Sequence, residues 1–276
     1  MLKHRLITAS LLIPLVIWGI FGLSTFPAFA VVIGLFVSLG VLEWTRLIGL
    51  DKQKQYQNSY LIIIIALLFA SYAVMQSGFL FTLLLLASVS WWTVQIFNLP
   101  SYEGELGFGE NSTLKNLWTG IYLLVPTWIS LMFLHQLPEI GPGLVLLLLL
   151  LIWTADSGAY FAGRKFGKNK LAPLISPGKT KEGAYGAFAA SGIVAFIGGL
   201  WLDLGFFQFI FFIVLSLIVV IYSIGGDLLE SVYKRRAGVK DSGALLPGHG
   251  GVLDRIDSLM SAAPVFTLGL WILGIV

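Results

Sequence analysis

The sequence lacks cysteine and is poor in charged residues. With no Cys among its 276 residues, it can form no disulfide, zinc–thiolate site or thiol nucleophile. Charged residues make up 11% of the chain, against roughly 25% in a typical soluble domain. Hydrophobic residues make up 57%, and the mean hydropathy is +0.90. This composition excludes an ordinary soluble enzyme, a disordered protein and a nucleic-acid binder that relies on a basic face.

Long apolar runs take the place of the missing charge. A bilayer-spanning helix needs about 20 apolar residues, and nine runs near that length predict an all-α integral membrane protein, a polytopic bundle of about nine transmembrane helices with a cytoplasmic N-terminus. The predicted spans lie at about 6–23, 27–48, 58–76, 79–97, 117–134, 143–162, 184–202, 206–226 and 258–275. We interpret the first run as an uncleaved span although Ala28-Phe29-Ala30 is similar to a signal-peptide cleavage site. The run is longer than the usual roughly 7–15 residues, and a second span follows at once.

The placement of the basic residues predicts the sidedness of the loops. With the N-terminus inside and nine alternating spans, all 17 Lys and Arg residues fall on the inside, Arg46 at the inner end of the second span and the others in inside segments, whereas the outside loops carry Glu139 and Asp203. This is the asymmetry that the positive-inside rule predicts. We therefore expect a multi-pass membrane protein with its polar loops facing the cytoplasm.

Polar residues with unusual spacing gather in the second half of the chain. We expect two regions, N-terminal hydrophobic spans over 1–140 and a C-terminal catalytic membrane region over 141–276. The loop predicted at 225–258 mixes acidic residues, basic residues and glycines. Asp254 and Asp257 are three residues apart, so on a helix both would project from one face. Together with Asp227 they would make an oxygen-rich site that suits Mg²⁺.

The basic residues and glycines of this loop fit phosphate binding. The basic side chains could hold phosphate oxygens, and the glycines allow the backbone to approach a ligand closely. The alternative is an interfacial loop whose acids and bases neutralise each other. His249 remains ambiguous at this point, as a metal ligand, a general base, a phosphate donor or a turn-former.

The second polar segment spans residues 153–186. Asp156 lies inside an apolar run, where an acid is functional by default. Residues 176–180, Ser-Pro-Gly-Lys-Thr, combine small hydroxyls, a glycine and a lysine and would make a phosphate cradle, although they lack the spacing of a Walker A loop. The basic tract around them could equally serve as a topology determinant. Glu43, near the end of the second apolar run, receives no assigned role.

The motif from Ser231 to Asp257 resembles the signature of the phosphatidate cytidylyltransferase (CDP-diacylglycerol synthase) family. The matching positions are Ser231, Lys234, Arg235, Lys240, Asp241, Gly243, Pro247, His249, Gly250, Gly251, Asp254, Arg255 and Asp257. Tyr233 departs from the usual aliphatic residue or Phe at its position. The tract from Asp156 through Ser176, Lys179 and Glu182 is also similar to this family.

The resemblance implies an Mg²⁺-dependent nucleotidyltransferase of phospholipid biosynthesis and, together with the short loops, a place in a bacterial inner membrane with the active site facing the cytoplasm. Its substrates would be CTP and phosphatidic acid, and its products CDP-diacylglycerol and pyrophosphate. The family implies two divalent ions, with room for a monovalent cation, contact with membrane lipids, no nucleic-acid partner and, by analogy, a homodimer. The implied catalytic residues are Asp227, Asp254, Asp257, Lys234 and His249, the three aspartates being the metal ligands. The implied substrate-binding residues are Ser176, Lys179, Lys181, Ser231, Arg235, Lys240, Asp241, Gly250, Gly251 and Arg255.

Two other functions are compatible with these residues. A relative of the family could act on another lipid phosphate, such as that of an unsaturated ether lipid. A transporter could bind an ion through Asp156 and Asp227, but it would be expected to show matched broken helices in two halves of the chain. Here the polar residues crowd into one half.

Overall fold

The computed structural model describes residues 2–23, 25–104, 112–245 and 250–276. This part of the chain contains nine helices and one short antiparallel hairpin. The elements are α1 (Leu2–Gly22), α2 (Phe26–Leu47), α3 (Lys54–Met75), α4 (Gly78–Gly104), α5 (Thr113–His135), α6 (Gly141–Phe166), β1 (Lys170–Ala172), β2 (Ser176–Thr180), α7 (Lys181–Trp201), α8 (Phe206–Arg236) and α9 (Leu253–Ile272). The prediction of a polytopic helical membrane bundle is confirmed.

Each predicted span coincides with a helix, and seven of the nine helices, α2 to α8, are long and apolar enough to cross a membrane. The described side chains of α1 contribute a shorter apolar stretch, Ile13–Gly22. Helix α9 begins with a charged turn that contains Asp254, Arg255 and Asp257, which lowers its hydropathy. The nine-span count therefore rests, for α1 and α9, on the sequence prediction.

Helix α8 corrects the prediction of a loop from residue 225 onward. It continues as one helix to Arg236, ten residues beyond the predicted end of the span. Glu230 and Lys234 lie one turn apart on it and form an ion pair, so their charges are neutralised within the helix. The loop between α8 and α9 is correspondingly shorter, and the hairpin β1–β2 was not predicted.

Helices α5 and α9 form the centre of the bundle. Most of the α5 window that is long enough to span a membrane is buried, and α9 is buried from Ser258 to Leu268. The hydroxyl of Thr127 on α5 donates to the carbonyl of Met260 on α9 at 3.1 Å. Large apolar side chains such as Phe69 and Phe207 are exposed on the peripheral helices, as expected for a surface in contact with lipid tails.

Helices α6 and α7 cross at very small residues and carry the hairpin between them. A Cβ added at Gly158 would lie 2.7 Å from the Cβ of Ala190, so glycine permits the close approach of the two backbones, as is typical of membrane helix pairs. Thr180 caps α7 by accepting a hydrogen bond from the Gly183 N–H at 3.1 Å. The Glu182 carboxylate accepts from the backbone N–H of Lys168 at 3.1 Å. These contacts fix the hairpin at the polar end of α6 and α7.

Candidate functional site

The structure brings the two polar segments of the sequence together through one ion pair. Lys179 on β2 places its ammonium nitrogen 2.7 Å from Oδ2 of Asp227 on α8. The two side chains are 25% and 27% exposed, so this pair can be reached from outside the protein. The hydroxyl of Ser231, one turn further along α8, donates to Oδ1 of Asp227 at 3.4 Å. The hairpin lysine predicted as a phosphate ligand and the α8 aspartate predicted as a metal ligand thus share one partly exposed site.

A second, buried cluster of charges lies one turn beyond Asp227. The Lys234 ammonium nitrogen is 2.6 Å from Oε2 of Glu230 and 2.7 Å from Oδ1 of Asp254 on α9. The side chains of Lys234 and Glu230 are only 8% and 1% exposed. Oε1 of Glu230 is buried without a hydrogen-bond partner among the described residues. In this arrangement Lys234 holds two carboxylates and does not present its charge to solvent.

The second carboxylate oxygen of Asp254 organises the loop before α9. It accepts hydrogen bonds from the N–H of Ser242 and the N–H of Gly251, both at 2.8 Å, and from the Ser242 hydroxyl at 3.0 Å. Gly250 has φ +76°, and a Cβ added there would lie 3.2 Å from the Asp254 carboxyl carbon. Glycine is therefore required at residue 250 by both its backbone conformation and the available space.

Asp257 lies near both clusters, one turn after Asp254. Its Oδ1 accepts from the N–H of Ser258 at 2.6 Å. Helix α8 approaches this turn closely, since a Cβ at Gly226 would lie 2.6 Å from the backbone oxygen of Asp257. Asp257 interacts electrostatically with Asp227 and Glu230.

The neighbourhood carries both acidic and basic groups. Asp156 on α6 interacts electrostatically with Asp227, Lys179 and Arg255. The acidic members are Asp156, Asp227, Glu230, Asp254 and Asp257, and the basic members are Lys179, Lys234 and Arg255. Five acidic side chains thus lie with three basic ones in this set, and the predicted phosphate contacts Lys181, Arg235 and Lys240 add further positive charge beside it.

The described residues contain no group of three or more His, Asp or Glu side chains arranged to hold a metal ion. Asp227 faces Lys179, and Asp254 is engaged by Lys234 and by the loop backbone. The predicted metal ligands thus share a neighbourhood without forming a ready-made cage. Mg²⁺ usually takes one or two protein carboxylates and completes its shell with water and phosphate oxygens. The donor types present fit that requirement, and the magnesium assignment remains a prediction.

The other predicted substrate-binding residues differ in their contacts and in their exposure. Arg235 ties α8 to the hairpin, because its Nε donates to the carbonyl of Ile175 at 3.2 Å. Ser176 begins β2 and is half-buried. The predicted contacts that are exposed are Lys181, Lys240, Asp241 and Arg255. His249 lies outside the described residues.

Glu43 is a residue of this region that the sequence analysis missed. Its carboxylate is buried and accepts hydrogen bonds from the loop that also binds Asp254. A signal was present in the sequence, since an acid near the end of an apolar run needs a partner. The partner lies about 200 residues away in the chain, and nothing in the local sequence indicates it.

An apolar cavity of about 330 Å³ opens between α4, the hairpin and α8. Its lining includes Ile96, Leu171, Ile224 and Leu228. Ile224 lies one turn before Asp227 on α8, so the cavity borders the part of this helix that carries the partly exposed ion pair. An apolar space beside a charged site suits a ligand with one apolar and one charged end.

Comparison with known proteins gives similarity along the whole chain. The model of the family described as "Cytidylyltransferase family" matches residues 3–273. A phosphatidate cytidylyltransferase of Pseudomonas aeruginosa is 42% identical over 274 residues, which cover 99% of this chain and 98% of that protein. The enzyme of the same name from Haemophilus influenzae is 39% identical, with 97% and 98% coverage. That of Thermotoga maritima is 33% identical, with 96% and 94% coverage.

Proposed function

The chain belongs to the cytidylyltransferase family, and we propose that it makes CDP-diacylglycerol and pyrophosphate from phosphatidic acid and CTP. The observation that carries this proposal is the full-length similarity to enzymes named phosphatidate cytidylyltransferase. That similarity favours an enzyme over a transporter. The geometry supports it with a charged, accessible site at the polar end of a bundle of apolar helices.

In the proposed reaction an oxygen of the phosphatidic acid phosphate attacks the α-phosphorus of CTP. A new P–O bond forms while the bond to the departing pyrophosphate breaks. Such transfers depend mainly on positioning and on neutralisation of phosphate charge. Lys179 would exchange Asp227 for a phosphate oxygen, since about a quarter of each side chain of the pair is exposed and a phosphate can reach it. The exposed Lys181, Lys240 and Arg255 would add further phosphate contacts.

We also propose that Mg²⁺, as two ions, is the cofactor. Asp227 and Asp257 would hold it, with Asp254 as the third ligand of the predicted set. The presence of Asp227 and Asp257 in one neighbourhood, with Asp254 one turn from Asp257, supports a cation requirement. When bound, magnesium would neutralise charge on the phosphates of both substrates. The roles of a monovalent cation and of a homodimer stay predictions.

The apolar cavity supports a lipid as one of the substrates. Its lining combines aliphatic side chains of α4 and α8, two helices apolar enough to span a membrane, with those of the hairpin. An acyl chain in this cavity would leave the phosphate of the lipid beside Asp227 and Lys179. The lipid would then enter from the bilayer and CTP from the aqueous side.

The proposed activity is tested with purified protein in detergent micelles, labelled CTP, Mg²⁺ and phosphatidic acid. We expect labelled CDP-diacylglycerol to form only when the metal and the lipid are both present, and EDTA to stop its formation. A parallel reaction with the phosphate of an unsaturated ether lipid distinguishes the related activity. Preference for that lipid, or the absence of any labelled lipid, would contradict the proposal.

We further propose that the site faces the cytoplasm of a bacterial inner membrane. Because the chain has no cysteine, a single cysteine at the exposed residue Lys181 can be labelled selectively. We expect a membrane-impermeant maleimide to label Lys181→Cys in inside-out vesicles and not in intact spheroplasts. The variant Gln136→Cys, in the loop predicted to lie outside, should give the opposite pattern. Labelling of Lys181→Cys in intact spheroplasts would overturn the predicted orientation.

A further inference from the structure

Glu43 joins helix α2 to the start of helix α9. Its residue is 4% exposed, and its carboxylate accepts hydrogen bonds from the N–H of Val252 at 3.0 Å and the N–H of Leu253 at 2.8 Å. These are among the first N–H groups of α9, which have no partner inside the helix. A carboxylate at a helix N-terminus also interacts favourably with the helix dipole. Glu43 therefore caps α9 from a distant part of the chain.

The loop before α9 is shaped to approach this carboxylate. We call the described residues 241–245 and 250–252 the capping loop. The Ser242 hydroxyl lies 3.0 Å from Oε2 of Glu43. A Cβ added at Gly243 would lie 2.8 Å from the carboxyl carbon of Glu43, and one added at Gly251 would overlap its oxygens. Two glycines of the family-like motif thus have a structural partner in α2.

The capping loop connects Glu43 to the buried charge cluster. The Ser242 hydroxyl is 3.0 Å from Oδ2 of Asp254 as well as from Glu43. A hydroxyl carries a single proton and can donate to only one of the two carboxylates at a time. Asp254 in turn binds Lys234. A continuous set of contacts therefore runs from α2 through Ser242 and Asp254 to α8.

We propose that Glu43 is a positioning residue for the transferase site. By fixing the capping loop and the first turn of α9, it sets the placement of Asp254, Arg255 and Asp257 relative to α8. This inference rests on the function proposed above. It also gives the N-terminal region, residues 1–140, a direct part in the site.

The test is the variant Glu43→Gln, compared with the wild type for kcat, for the dissociation constant of CTP and for backbone hydrogen exchange. Gln has nearly the same shape, but in either orientation its NH₂ group would face a backbone N–H donor, that of Val252 or that of Leu253. We expect kcat per folded molecule to fall about 10- to 100-fold, since small misplacements of reacting groups cost rates of this order. Exchange should accelerate in peptides that contain residues 250–256 and stay unchanged in α5. The dissociation constant of CTP should rise by a smaller factor than kcat falls, because Lys179 and Lys181 lie on β2 and α7, away from the capping loop, and only Arg255 among the proposed phosphate contacts lies in the first turn of α9.

Glu139→Gln is the matched control, the same substitution at an exposed turn residue, and should behave as the wild type. Ser242→Ala provides a second variant if Glu43→Gln does not fold, and should show the same local exchange with a smaller loss of kcat. Wild-type kcat in Glu43→Gln, or acceleration spread evenly over all helices, would overturn the positioning role. Hydrogen exchange is measured without turnover, so its outcome stands even if the wild type makes no CDP-diacylglycerol.

Discussion

Asp227→Asn is expected to lower kcat for CDP-diacylglycerol formation by at least about 100-fold, a loss typical of removing one charge-stabilising group from an active site. The amide keeps the size of the side chain but removes the negative charge that faces Lys179 at 2.7 Å. It would also be a much weaker ligand for Mg²⁺. The measurement is the initial rate with labelled CTP at saturating phosphatidic acid and magnesium.

The same variant should remain folded. The pair is partly buried, with about a quarter of each side chain exposed, so its loss should cost about 1–2 kcal/mol, which leaves the protein folded. Asp203→Asn is the matched control, because residue 203 lies in a turn at φ 51°, a conformation that Asn also adopts readily. Turnover by Asp227→Asn within about threefold of the control would remove Asp227 from the proposed metal and catalytic set.

The fold could be predicted from the sequence because the bilayer imposes one strong constraint. Every spanning backbone must satisfy its own hydrogen bonds, so apolar runs of sufficient length become helices wherever they occur. The prediction is wrong where a helix continues beyond its apolar run into charged residues. Helix α8 continues through Glu230 and Lys234 because the two charges pair one turn apart on the helix. A pattern based on hydropathy treats both residues as loop.

The candidate site could be predicted as two segments but not as a set of contacts. The sequence indicated that residues 153–183 and 223–257 carry the chemistry, and the structure joins them through Lys179 and Asp227. The sequence did not indicate that Lys234 would lie between two carboxylates. It also did not connect Glu43 with the capping loop. Both contacts depend on how helices pack, and a single sequence carries no signal for which distant helices meet.

The partners of Lys234 bear directly on what this lysine does. The motif resemblance implied a catalytic lysine, whereas its ammonium group lies buried between Glu230 and Asp254. The buried Lys234 ammonium holds the carboxylates of Glu230 and Asp254 in place, whether or not it also contacts a substrate phosphate. Removing it would leave two acidic groups in a poorly solvated space, and one oxygen of Glu230 already has no hydrogen-bond partner among the described residues.

Lys234→Met is therefore expected to lower the free energy of unfolding by about 3–5 kcal/mol, the usual cost of removing one partner from a buried ion pair. The double variant Lys234→Met/Glu230→Gln should recover part of this loss, because one of the two uncompensated charges is then gone. The free energies of unfolding of both variants are measured by denaturation in mixed micelles, with circular dichroism as the readout. Lys240→Met, at an exposed lysine, should stay within about 0.5 kcal/mol of the wild type. If Lys234→Met unfolds like the wild type and has still lost turnover, then Lys234 serves the phosphates directly and its contacts with the two carboxylates contribute little to stability.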